Sequence, residues 1–187
     1  MHTRHLAVTV SLLLPLTACS GNGEPGPTVT VTRTVTATPT PKAAATPSAP
    51  LKMGTKVDIV EDENDLHITV QALQYQQPYK GPQPQKPLDF QGGDTWATIN
   101  VKVCNVQGSD FTVSQFPWHL SYKDSTSIQV TGSTGGDMPK PEFPMDRTVK
   151  PGRCAAGLIA FPVPGDKSPE RLVYEPDGTQ PTEWAIG

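Results

Sequence analysis

The chain has 187 residues and a formal net charge of −3, and every Phe, Tyr and Trp lies at or beyond Tyr75. A packed core can therefore be built only from the later part, which leaves room for one domain. Residues 1–50 carry three basic groups against one acidic group, whereas residues 51–187 carry twelve against seventeen, with the basic ones scattered singly; such a surface offers no footprint for a phosphate backbone, which excludes nucleic acid as a partner.

Residues 1–18 combine a positively flanked start (His2, Arg4, His5) with the apolar run from Leu6 to Leu16 and the small-residue stretch Thr17-Ala18 before Cys19. That run is about half of the roughly 20 residues needed to span a bilayer as a helix, so it reads as the apolar part of an export signal. Leu16-Thr17-Ala18-Cys19 resembles the bacterial lipobox. The resemblance implies cleavage before Cys19, a diacylglyceryl group on its thiol, and a localisation at the cell membrane, lipid-anchored on the extracytoplasmic face. Two or more acyl chains would then hold the protein at a membrane without any spanning helix.

Residues 19–50 form the second region. Between Ser20 and Pro50 stand eight Thr and six Pro and no aromatic residue, Leu or Ile, so the segment cannot bury enough apolar surface to offset its ordering entropy. The expectation is a disordered, partly polyproline-like linker. At about 3.1 Å per extended residue it would reach on the order of 90 Å from the membrane.

From Leu51 to Gly187 the texture changes to short apolar runs separated by Gly, Pro, Asn and Asp, without helical periodicity. That pattern predicts an all-β fold, an antiparallel sandwich of about seven to eight strands. Strands are expected near 56–60, 65–75, 95–105, 116–123, 127–131, 154–163, 170–175 and 183–186. In the longest, Ala97, Ile99, Val101 and Val103 alternate with Thr98, Asn100 and Lys102, so the first set is assigned to the core. The same alternation puts Phe116, Trp118, Leu120 and Tyr122 on one face, and Ala155, Gly157, Ile159, Phe161 and Val163 on another. Pro162 within that last strand requires an edge or a bulge.

If Cys19 is lipidated, Cys104 and Cys154 are the cysteines that remain, and an exported domain matures where thiols oxidise. Cys104 ends one long strand and Cys154 begins another; should these strands be antiparallel neighbours, the two ends lie side by side and a disulfide follows. Cys104 shares a face with Asn100 and Lys102, which places that bridge at the rim of the sandwich. The alternative is a pair of free buried thiols.

The strand Thr95-Trp96-Ala97-Thr98-Ile99-Asn100-Val101-Lys102-Val103-Cys104-Asn105, together with the later Val149-Lys150-Pro151-Gly152-Arg153-Cys154 leading into Ala155–Pro164, resembles a family of actinobacterial lipoproteins of unknown function. Domains of that family look like the mycobacterial immunoprotective extracellular antigen, and the resemblance implies an immunoglobulin-like β-sandwich over roughly residues 51–187. It implies no catalytic residue. The Pro-rich insert between Gln76 and Gln91 falls outside the shared pattern.

Sequence motifs of nucleophilic serine enzymes, zinc proteases and dithiol oxidoreductases are not found. His67 and His119 stand alone on polar strand faces, and the acidic run Glu61, Asp62, Glu63 and Asp65 lacks the spacing of a calcium loop. The sequence therefore predicts no enzyme, no metal and no cofactor. Tyr79, within the insert, is the candidate for an exposed aromatic contact, because loops at the end of a sandwich commonly carry recognition. The expected function is a membrane-anchored binding module facing an unknown protein, glycan or envelope component. The alternatives are a structural or immunogenic envelope lipoprotein without a specific ligand and, more distantly, a hydrolase.

Overall fold

The computed structural model describes residues 49–62, 65–82 and 86–187. The signal segment, Cys19 and nearly all of the linker lie outside the described residues. Those described form eleven strands: β1 (Leu51–Lys52), β2 (Lys56–Glu61), β3 (Leu66–Gln76), β4 (Thr95–Gln107), β5 (Phe111–Val113), β6 (Trp118–Ser121), β7 (Ser127–Gln129), β8 (Arg147–Val149), β9 (Cys154–Val163), β10 (Arg171–Tyr174) and β11 (Thr182–Ala185). One sheet has the order β2-β3-β4-β9 and the other β1-β11-β10-β6-β7, while β5 and β8 pair as a separate ribbon. This is the expected immunoglobulin-like β-sandwich. The strands added to the expectation are β1, β5 and β8, each two or three residues long, and β1 departs from the antiparallel rule by pairing parallel to β11.

The inner faces follow from alternation. Ala97, Ile99 and Val101 on β4 are fully buried, as are Ala155, Ile159, Phe161 and Val163 on β9 and Trp118 and Leu120 on β6. Those of β4 and β9 meet Trp118, Leu120, Leu172 and Trp184 of the facing sheet in one continuous core. Within it Trp118 packs on Tyr174 at 4.5 Å and stacks on Trp184 at 5.9 Å between ring centroids, and the Trp184 indole N–H donates to the Thr55 carbonyl at 3.0 Å.

Phe116 departs from the expected face: it is 63% exposed. A turn closed by the Trp118 N–H on the Gln115 carbonyl at 3.0 Å ends the alternation just before β6. Gln115 is buried instead, its side-chain amide donating to the carbonyl of Phe143. Phe143 itself enters the core from the long connection between β7 and β8, and its segment runs beside β9, with the Phe143 N–H donating to the Leu158 carbonyl at 2.9 Å. Gly157 makes this approach possible, because a Cβ there would stand 2.4 Å from the Phe143 nitrogen. β9 ends its sheet, which places Pro162 on an edge strand as its missing N–H demands.

Cys104 and Cys154 are direct partners in the β4–β9 ladder and form a disulfide. The bridge sits on the outer face, with Cys104 half-buried and Cys154 exposed, so it lies at the rim. Next to it, the buried Asn105 side chain donates to the carbonyls of Ser109 at 2.8 Å and Val149 at 3.0 Å, and its backbone exchanges hydrogen bonds with Arg153 and Gly152. The asparagine that closes the long strand thus ties it to the turn that launches β9. Because the disulfide closes a loop with a sequence separation of 50, replacing both Cys104 and Cys154 by Ser should cost roughly 4 kcal/mol in denaturant unfolding. A loss within about 0.5 kcal/mol of zero would show that the bridge does not constrain the unfolded chain.

Candidate binding groove

Of the residues singled out from sequence, Cys104 and Cys154 are joined and structural, whereas Cys19 lies outside the described residues. Tyr79 requires a correction. It is 7% exposed and packs with Trp96 and Ala160, with Met138 and Leu158 against them, and its backbone N–H donates to the Trp96 carbonyl at 2.7 Å. Tyr79 is thus laid over the outer face of the four-stranded sheet, where it helps to bury Trp96 although that residue alternates with the inner face. Tyr79 is therefore not the exposed aromatic expected; it anchors its segment on the sheet.

The two histidines are on different sheets. His67 Nε2 lies 2.7 Å from Asp58 Oδ1, a cross-strand pair between β3 and β2 that is largely open to solvent. His119 is half-buried on β6; burial lowers its pKa below the usual histidine value, and the nearby carboxylates of Glu175 and Glu183 oppose that shift. Among the described residues neither imidazole is hydrogen-bonded to a serine, and no three His, Cys, Asp or Glu side chains are grouped to hold a metal. The acidic run keeps Glu61, Asp62 and Asp65 at the turn between β2 and β3; Glu63 lies outside the described residues.

The surface that stands out is on the flank where the five-stranded sheet ends in β7. A 3-10 turn at Asp89–Gln91 holds Phe90 there, 83% exposed. Its geometry is fixed locally: the Gln91 side-chain carbonyl accepts from the Leu88 N–H at 2.8 Å, the Gln91 N–H donates back to the Leu88 carbonyl at 2.8 Å, and Gly92 ends the turn at φ +78°. Gly93 then lies so close to Pro162 that any Cβ would overlap its backbone. Between this turn, β7 with the following Val130 and Thr131, and Pro162 is a recess of about 480 Å³. A second recess of about 330 Å³, bordered by Leu88, Trp96 and Met138, adjoins it through the shared Gln91 and Ser133. Exposed Leu88 and Phe116 extend the apolar strip, with Phe116 facing the backbone of Gly132. Apolar side chains left together in water beside a terminal strand are a feature of interaction surfaces.

Sequence reasoning located the exposed aromatic in the correct insert but on the wrong residue. The signal for Phe90 is local: a single aromatic enclosed by Asp89 and Gln91 and followed by Gly92-Gly93, which together prescribe a tight turn with the aromatic at its tip.

Residues 55–182 match the family described as "Domain of unknown function (DUF4352)", and the chain belongs to that family. Among solved structures it is similar to the secreted protein MPT63 of Mycobacterium tuberculosis, at TM-score 0.57 and 16% identity over 75% of this chain and 100% of that one. It is also similar to the yjhA protein of Bacillus subtilis, at TM-score 0.51 and 12% identity over 73% of this chain and 99% of that one. These likenesses establish the shared fold, and the expected resemblance to the mycobacterial antigen is met by the first of them. Among curated proteins no sequence matches this one.

The assignment of Tyr79 is testable by stability. Tyr79→Ala should destabilise the chain by about 3 kcal/mol, the cost of emptying a buried aromatic site, whereas Phe90→Ala should stay within about 0.5 kcal/mol of the parent. Chemical denaturation of both variants checks this, and the reverse order would return Tyr79 to the surface.

Proposed function

We propose that this protein is an extracytoplasmic lipoprotein, anchored to the membrane through a lipid on Cys19, whose sandwich binds an extended segment of a protein partner in the groove beside Phe90. The observation that carries the binding reading is the 83% exposure of Phe90 next to the terminal strand β7. A strand at the end of a sheet offers unpaired backbone groups to a peptide, and an aromatic beside it supplies the anchor that such contacts need. The recess is shaped for this mode: it runs along Ser127 to Thr131 and contains both polar side chains and apolar ones. A non-catalytic role is the simplest one for a site without a nucleophile and base in contact.

Export is supported by the lipobox-like Leu16–Cys19, by the disulfide between Cys104 and Cys154, and by the fold shared with a protein described as secreted. Among the described residues no helix is long and apolar enough to cross a membrane.

The test has two parts. Mass spectrometry of the mature N-terminal peptide should find Cys19 acylated and first in the chain; an unmodified Cys19 or cleavage elsewhere would end the anchoring claim. A photo-crosslinking residue at Gln129, which lines the recess, in the full chain on intact cells should give one reproducible adduct, mapped to an extended segment of the partner and reduced tenfold or more by Phe90→Ser. Absence of an adduct under all growth conditions, or adducts indifferent to Phe90→Ser, would favour an envelope lipoprotein without a specific ligand.

A further inference from the structure

A second concavity lies between the sheets, remote in kind from the groove and independent of the reading given to it. Its volume is about 170 Å³. The floor is made of buried side chains, among them Ile68, Val103, Val113 and Phe143, and the rim of half-buried Glu61, Pro117 and Thr179. For comparison, an engineered apolar cavity of about 150 Å³ in another protein stays dry and takes up benzene. The size alone therefore admits a ring of that order.

One polar group gives the space a chemical direction. Trp118 is a wall of the cavity and fully buried, and among the described residues its indole Nε1–H has no acceptor. Its counterpart in the same core, Trp184, donates to the Thr55 carbonyl, so the arrangement is not a general habit of tryptophans in this fold. A buried donor left unmade bears the full cost of its desolvation, and native cores rarely carry one without a reason. Charge narrows the choice further. Glu61 is the ionisable carboxylate among the lining residues, and no Lys, Arg or His lines the cavity; an anion would find repulsion at the rim and no cation inside. Tyr174, on the same wall, has its pKa pushed up to about 12, first by burial and then by the Glu61 charge, so it stays neutral at every working pH and offers no charge to a ligand.

We propose that this cavity is a binding site for a small uncharged molecule with an apolar, ring-sized body and one hydrogen-bond acceptor that receives the Trp118 indole N–H. The body would occupy the floor formed by Ile68, Val103, Val113 and Phe143. The acceptor, a ketone or ester oxygen for example, would satisfy the donor that the fold leaves open.

Two probes of equal size separate the elements of the proposal: acetophenone, which has the acceptor, and ethylbenzene, which lacks it. In nitrogen-15 spectra of the full chain, acetophenone should move the Trp118 indole N–H resonance in a saturable way and bind more tightly than ethylbenzene. Trp118→Phe, which reshapes the wall for both probes, should weaken acetophenone roughly three- to tenfold more than it weakens ethylbenzene, the worth of one neutral hydrogen bond. Ethylbenzene binding also reports that the variant is folded. Val113→Phe, which fills the cavity, should abolish both. No saturable shift with either probe would overturn the proposal, as would equal affinity of the two probes, or magnetisation transfer showing that the Trp118 N–H is satisfied by an ordered water that neither probe displaces.

Discussion

The structure depends on the pairing of β4 along both of its edges. Its 13 residues, Thr95 to Gln107, are hydrogen-bonded to β3 on one side and to β9 on the other, and the ladder with β9 runs without a break from Thr95 to Cys104. A strand in that position must bury a full inner face, which Ala97, Ile99, Val101 and Val103 provide. It must also end in a defined register, which the Cys104–Cys154 bridge and the Asn105 side chain enforce at the same end. At the opposite end Tyr79 packs on Trp96, and β4 begins buried on both faces and becomes one-sided only further along. Apolar burial and register are thus set on one element, and the other strands are placed relative to it.

Much of this was legible in the sequence, and the reasons are specific. The strict alternation over residues 97–103 identifies a face only if the segment is a strand, and it also orients Cys104 outward, which is enough to place a disulfide at the rim. Pro162 signals an edge because it lacks a donor. What escaped reading lacks such a signal. β1, β5 and β8 are too short for a period to be counted. Phe116 followed the alternation in sequence but not in space, because a turn at Gln115 intervenes before Pro117. Tyr79 was misplaced for a deeper reason: a run of prolines around an aromatic suggests a solvent loop, and nothing local reveals that the outer face of β4 beneath it is apolar and in need of cover. Trp96 and Ala160, on adjacent strands and both facing outward, held that information, but only the strand order makes them neighbours.

The groove has its own local support. The hydrogen-bonded turn at Asp89–Gln91 holds Phe90 beside β7, which would limit the ordering cost of the proposed association. The inter-sheet cavity has a different origin. It lies where the adjoining ends of β2 and β3 meet β5 and Phe143, elements that join the core from separate parts of the chain and do not fill the space between them. Apolar bodies could then be received in two places that differ in chemistry: a peptide at the edge of a sheet, and a small neutral molecule between the sheets.

The claim that β4 is the spine on which the rest is assembled is tested most directly by native-state hydrogen exchange. The amides of Ile99, Val101 and Val103 should exchange only through global unfolding, with a free energy equal to that from denaturant titration, while those of Ile128 and Gln129 in β7 open through smaller fluctuations. Exchange of the β4 amides at a lower free energy than the global value, or at one matched by β7, would contradict this account.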